Sequence, residues 1–216
     1  MSDPSRLLIV GAGGRTGRLL CELAARKGHI VTTLGRNTMP ADVEAAAHRQ
    51  VTGDARDPAV VSQALKDQDA VITAVAAQGR GPDTMVSDIT RTVLSEMDKA
   101  GVERIVVTSS RNVAATKPWL AVAPTKWFFR HIYADLVRTE HLVRDSGLDW
   151  TIVRAVMLTD QPPSGVVHID QNANATGGDW RLPRADFARV LLDTALDPAT
   201  VHQHLGVNGL KEPALP

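Results

Sequence analysis

The sequence predicts an α/β fold, a doubly wound parallel sheet built as one domain, and three observations predict it. Short apolar runs ending in glycine or small residues alternate with longer stretches of helical period. A glycine cluster joins the first run to the first helical stretch. The apolar fraction of 44% over 216 residues supplies one sizeable core. The alternation continues to about residue 154 and implies right-handed crossovers between parallel strands.

Each element has its own signal. Leu7-Leu8-Ile9-Val10 is wholly apolar, as a strand covered on both faces must be. Residues 16–27 put Leu19, Leu20, Leu23 and Ala24 on one helical face, and Gly28 ends them. Residues 30–34 are β-branched and read as strand two. Residues 41–48 are alanine-rich and helical, and Val51 leads into a strand end at Gly53-Asp54. Asp57-Pro58 is a helix start, with Asp57 as cap and Pro58 in the first turn. Residues 70–75 form the fourth strand, and 83–100 a long helix stopped by Gly101. Residues 104–108 are strand five, 127–144 a single helix, and 150–153 strand six. Beyond that the pattern changes. Residues 155–183 read as a small substrate-side excursion containing a short strand at 166–169. Residues 186–196 form a last amphipathic helix, and 204–207 a final edge strand. The whole chain, 1–216, is expected to be one domain.

Composition excludes several functions. Twenty-four basic and 24 acidic residues cancel, so no bulk charge draws nucleic acid or an anionic membrane. The lone Cys21 makes no internal disulfide. No leader or membrane-spanning run is visible, and a cytoplasmic protein is expected. No heptad marks an interface, so a monomer or weak homodimer is expected.

Gly11-Ala12-Gly13-Gly14-Arg15-Thr16-Gly17 follows the first strand and opens the first helix, as in a Rossmann-type site. Gly11 permits the tight turn, Gly14 close approach of a pyrophosphate, and Gly17 close packing of helix on strand. The helix start offers free N–H groups to phosphate. NAD sites place an acid near the end of strand two, on the ribose. Here the run is Leu34-Gly35-Arg36-Asn37, with no acid before Asp42. Arg36, flanked by Arg15, suits a 2′-phosphate, and NADPH is the expected cofactor. Asp54 either meets the adenine or caps its own turn. Val75 and Ala76, small at the end of strand four, would let a dinucleotide cross the sheet edge. Thr108-Ser109-Ser110 ends strand five, where open α/β sheets bind ligands; Ser109 or Ser110 could hydrogen-bond the nicotinamide or a substrate carbonyl.

Tyr133 is the only tyrosine, and position 137 is Val, so the Tyr-x-x-x-Lys pair of many dehydrogenases is missing. The histidines lack metal-ligand spacing, and no G-x-S-x-G elbow occurs. Five of the eight aromatics (Trp119, Trp127, Phe128, Phe129, Tyr133) fall within fifteen residues after strand five, with Trp180 in the excursion. They either stack on a flat substrate or pack a helix on the sheet.

These stretches resemble the atypical short-chain dehydrogenases. Besides the glycine loop, the match runs through Gly35-Arg36-Asn37, Val51-Thr52-Gly53-Asp54, Gly101-Val102-Glu103-Arg104, Thr108-Ser109-Ser110, Ser146-Gly147-Leu148-Asp149-Trp150, Thr159-Asp160-Gln161-Pro162 and Arg184-Ala185-Asp186-Phe187-Ala188. The chain is most similar to the NAD(P)H-binding group that contains the flavin reductase/biliverdin-IXβ reductase. The resemblance implies an NADPH-dependent reductase acting on a small planar acceptor. It implies Gly11, Gly13, Gly14 and Thr16 on the phosphates, Arg36 on the 2′-phosphate, and Asp54 and Ala55 at the adenine. Val75 and Ala76 would lie along the dinucleotide, with Ser110 at the nicotinamide end as catalytic residue. Met157 departs from the pattern: it stands where that reductase has a histidine near its bilin site, which favours a flavin or quinone over a tetrapyrrole. The wider group also holds non-catalytic NADP(H)-sensing regulators, which is the alternative expectation.

Overall fold

Every parallel strand expected from the sequence enters one eight-stranded sheet in the computed structural model. The structure describes residues 3–76, 84–117, 119–174 and 177–210, with the backbone alone at 119–122. The strands are β1 (Arg6–Val10), β2 (Ile30–Gly35), β3 (Arg49–Thr52), β4 (Ala70–Thr73), β5 (Arg104–Ser110), β6 (Asp149–Ala155), β7 (Met157–Thr159), β8 (Val167–Asp170), β9 (Arg181–Pro183) and β10 (Gln203–Gly209). The helices are α1 (Arg15–Arg26), α2 (Ala41–Ala46), α3 (Pro58–Leu65), α4 (Met85–Ala100), α5 (Trp119–Phe128), α6 (Arg130–Arg144) and α7 (Arg184–Leu196). The sheet order is β3-β2-β1-β4-β5-β6-β10-β8, parallel except for β8 against β10.

The central strands are buried on both faces because alternate residues feed two separate cores. Leu7, Ile9, Ile72 and Val153 pack under α1 and α7 with Leu20, Phe187 and Leu191. Leu8, Val10, Val71 and Ile152 pack under α3, α4 and α6 with Val61, Val93 and Val143. The cap read at Asp57 is present: its side chain accepts from the Ala59 N–H at 2.9 Å, with Pro58 in the first turn. Gly101 ends α4 at φ +67°, where an L side chain would be strained.

Two expectations are corrected, and one pair of strands is added. The helix read as one over 127–144 is two, broken at Phe129, whose ψ of 25° leaves the helical range. The ladder is nearly continuous there, since Phe129 N–H reaches Thr125 O and Tyr133 N–H reaches Phe129 O, both at 3.0 Å. The last strand is not an edge: β10 pairs with β6 on one side, and β8 takes the edge. The excursion is also more regular than its composition suggests, since β7 and β9 form a two-stranded parallel sheet. It is pinned to α7 by Asp186, which accepts from Ser164 N–H (2.7 Å), Ser164 Oγ (2.9 Å) and Gly165 N–H (3.1 Å). No helix among the described residues is long and apolar enough to cross a membrane.

Candidate functional site

The strand order reverses between β1 and β4, and a cleft of about 480 Å³ opens at the carboxyl ends of the strands around that point. The glycine loop forms its floor. Gly11 adopts φ +87°, and a Cβ there would lie 2.9 Å from Ala74 O, so only glycine makes this turn. Its N–H donates to Leu34 O (2.9 Å) and its carbonyl accepts from Gly14 N–H (3.0 Å). Gly17, in the first turn of α1, touches the loop backbone itself: a Cβ would meet the Gly11 carbonyl and come 2.8 Å from Ala12 Cα. No side chain caps α1 at Gly14, so among the described residues the first N–H groups of a twelve-residue helix have no partner beside the cleft.

Of the residues singled out in the sequence, Gly11, Gly13, Gly14, Arg15, Thr16, Arg36, Ala55, Val75 and Ala76 line this cleft together. Gly17 lies just beneath it. Arg36 is exposed at the end of β2 and has no ion-pair or hydrogen-bond partner among the described residues. The nearest acid after it in the chain, Asp42, is occupied: Arg18 donates to both its oxygens at 2.9 Å. Arg15 donates to Asp160 at 2.9 Å across an exposed pair.

Asp54 does not line the cleft. Its carboxylate accepts from the Arg56 N–H (2.9 Å) and pairs with the Arg56 guanidinium (2.5 Å). That hydrogen-bonded arginine holds its pKa down to about 2, with Arg36 adding a smaller pull in the same direction. Ser109 and Ser110 lie at the end of β5, apart from the cleft lining, and differ in what they can offer. Ser109 Oγ donates to Glu140 Oε1 at 2.7 Å, and Glu140 is clamped by Arg154 through Nε (2.9 Å) and Nη2 (2.6 Å). Ser110 Oγ accepts from the Asn112 N–H at 3.3 Å, which leaves its own proton free to donate. Asn112 Nδ2 in turn donates to the Tyr133 hydroxyl at 3.1 Å, so the lone tyrosine is hydrogen-bonded near this strand end.

Three aromatics of the cluster, Trp127, Phe128 and Phe129, are exposed and not packed under the helix. Trp127 is 72% exposed with the Arg130 guanidinium over its ring, and Phe128, Phe129 and Trp180 are exposed too. The side chain of Trp119 lies outside the described residues. Sequence reasoning missed the side of the cleft made by Asn37, Thr38, Met39, Met85, Ile89 and Arg184. Helical period gives Met85 and Ile89 a core role, and Arg184 falls just before the helix read at residues 186–196.

A family model described as NAD(P)H-binding matches residues 11–198. The chain belongs to this NAD(P)H-binding family. A UPF0659 protein of Saccharomyces cerevisiae is 25% identical over 98% of this chain and 96% of its own length. The solved structure of ChuY, an anaerobilin reductase of Escherichia coli O157:H7, superposes with a TM-score of 0.80 at 25% identity, covering 98% of this chain and 99% of that one. A short-chain dehydrogenase/reductase of Veillonella parvula, solved in complex with NADP, has a TM-score of 0.78 at 20% identity, covering 97% and 95%. A nicotinamide dinucleotide fits the family's cleft here on physical grounds: a glycine floor that a Cβ would fill, an uncapped helix start, and an arginine without a partner.

Proposed function

We propose that this NAD(P)H-binding protein is an NADPH-dependent oxidoreductase that reduces a small planar conjugated acceptor, a flavin or a quinone. The observation that carries the cofactor preference is the pair Arg36 and Asp42. Arg36 stands unpaired at the end of β2, and Asp42 is tied to Arg18. A ribose bearing a free 2′-hydroxyl finds no carboxylate there; a 2′-phosphate finds a guanidinium able to donate two hydrogen bonds. Gly13, Gly14, Arg15 and Thr16 would hold the pyrophosphate, Ala55 the adenine side, and Val75 and Ala76 the path toward the reacting end. When bound, NADPH supplies the hydride.

The chain's own task is then orientation, with the proton drawn from water. Ser110, with its hydroxyl proton uncommitted, donates to the carboxamide or to an acceptor carbonyl. Ser109, whose proton is given to Glu140, keeps only acceptor lone pairs for a ligand amide. The reductase activity for which the E. coli relative is named and the NADP complex of the V. parvula structure support the reading.

The test of the cofactor assignment is a binding titration with NADPH and NADH. Wild-type protein is expected to prefer NADPH. Arg36→Glu loses charge-assisted hydrogen bonds of about 1.5–3 kcal/mol and weakens NADPH binding about ten- to a hundred-fold, with little change for NADH. Unchanged NADPH affinity in that variant refutes the assignment.

A further inference from the structure

We propose that Arg184, the first residue of α7, binds the cofactor's pyrophosphate, and that Asp160 is the residue that positions it. The proposal rests on the dinucleotide reading above and adds a ligand from the far end of the chain.

Arg184 lines the cleft beside Gly13, Gly14 and Thr16, yet its side chain is only 9% exposed. Its Nε donates to Asp160 Oδ1 at 2.9 Å and its Nη1 to Thr16 Oγ1 at 3.3 Å. Among the described residues nothing accepts from Nη2. The guanidinium is therefore fixed against the phosphate loop with donor capacity left over.

Charge counting points the same way. Asp160 is one carboxylate shared by two arginines, since Arg15 Nη1 also reaches it at 2.9 Å. The trio carries a net positive charge beside the uncapped start of α1, where the helix contributes more. The two arginines are not equivalent. Arg15 is 73% exposed, so its pair with Asp160 is weak and easily exchanged. Arg184 is buried and held at two points, so it is already placed and loses little freedom on binding an anion. The trio also stands between the cleft and a second depression along α1, which Arg15, Asp160 and Arg184 line too. Asp160 follows β7, so the same contacts tie the substrate-side segment to the phosphate loop. Arg36, at the end of β2, addresses a different phosphate.

Calorimetric titration with two ligands tests this: NADPH, and adenosine 2′-monophosphate, which keeps the 2′-phosphate and lacks the pyrophosphate. Arg184→Ala is expected to weaken NADPH binding about ten- to a hundred-fold while adenosine 2′-monophosphate binding stays within about twofold. Arg184→Lys should restore part of the loss, and Asp160→Asn should weaken NADPH alone by a smaller factor. Arg184→Gln, which removes the charge but keeps hydrogen-bonding groups, gives the same reading if alanine unfolds the chain. Unchanged NADPH affinity in the alanine and glutamine variants overturns the proposal, as does equal loss of both ligands, which marks a packing role. Wild-type protein that binds neither ligand overturns the dinucleotide reading itself, and that outcome is distinct from the others.

Discussion

Gly17 gives the sharpest test of how the site is built, because two effects of adding a methyl there have opposite signs. Gly17 is in a helix, where Gly→Ala on propensity alone stabilises by up to about 1 kcal/mol. The structure predicts the reverse. The new Cβ would lie 2.8 Å from Ala12 Cα and 2.9 Å from the Gly11 carbonyl carbon, and closer still to the Gly11 oxygen. All three are backbone atoms, so no side chain can swing away. Restoring ordinary contact moves α1 off the loop by about 0.6 Å or more. Overpacking of this kind costs about 1–3 kcal/mol. Net of a full propensity gain, Gly17→Ala should destabilise by up to about 2 kcal/mol and lower Tm by up to about 8 °C in a chain of this size. The same shift pulls the N–H groups of α1 away from a phosphate and disturbs the 3.0 Å bond from Gly14 to Gly11. NADPH affinity should fall about tenfold or more. Gly28→Ala is the control. That residue has φ +85° and open space around it, so it pays backbone strain of about 1–2 kcal/mol and leaves the dinucleotide untouched. Thermal unfolding and a titration on both variants decide the matter. A Gly17→Ala protein with raised or unchanged Tm and wild-type affinity would refute the close approach of α1 to the loop.

Two further outcomes follow from buried charge. Glu140→Leu strands the Arg154 guanidinium and the Ser109 hydroxyl, and should cost about 3–5 kcal/mol in denaturant unfolding; the double change Glu140→Leu with Arg154→Met should cost much less, and equal costs would contradict the pairing. Burial pushes the pKa of His204 down, with Arg154 adding to it, and burial does the same to His29. The unfolded chain therefore binds protons that the folded one refuses, so stability is complete above about pH 6.5 and declines as pH falls below it. His204→Asn should flatten that decline in unfolding midpoints, and an unaltered slope would show that this histidine is not responsible.

The fold was largely legible because its signals are local and repeated. Leu7-Leu8-Ile9-Val10 is apolar on both faces, and β1 is buried on both. Asp57-Pro58 and Gly101 bracket their helices as their backbone preferences require. What escaped notice depends on partners distant in sequence. β7 and β9 are three residues each and exist because residues 157–159 and 181–183 meet. β10 reads as an edge until β8 pairs with it, and nothing in residues 204–207 announces a neighbour. The glycine loop was readable because its glycines, strand and helix are contiguous. The place of Arg184 in the cleft was not, since it is set by contacts with Thr16 and Asp160, 168 and 24 residues away. The sequence allows Asp54 two roles, and its bonds to Arg56 are those of a turn. Ser109 and Ser110 look alike in sequence; only Glu140 on α6 and Asn112 beyond β5 make them different.

The most direct test of the proposed activity is steady-state loss of NADPH absorbance with a panel of acceptors: FMN, FAD, small quinones and, because of the E. coli relative, anaerobilin. The account predicts oxidation of NADPH well above the protein-free rate with a flavin or a quinone, slower with NADH, and reduced in Ser110→Ala with NADPH binding retained. Tight NADPH binding with no acceptor-dependent turnover across the panel would contradict it and leave a dinucleotide sensor in its place.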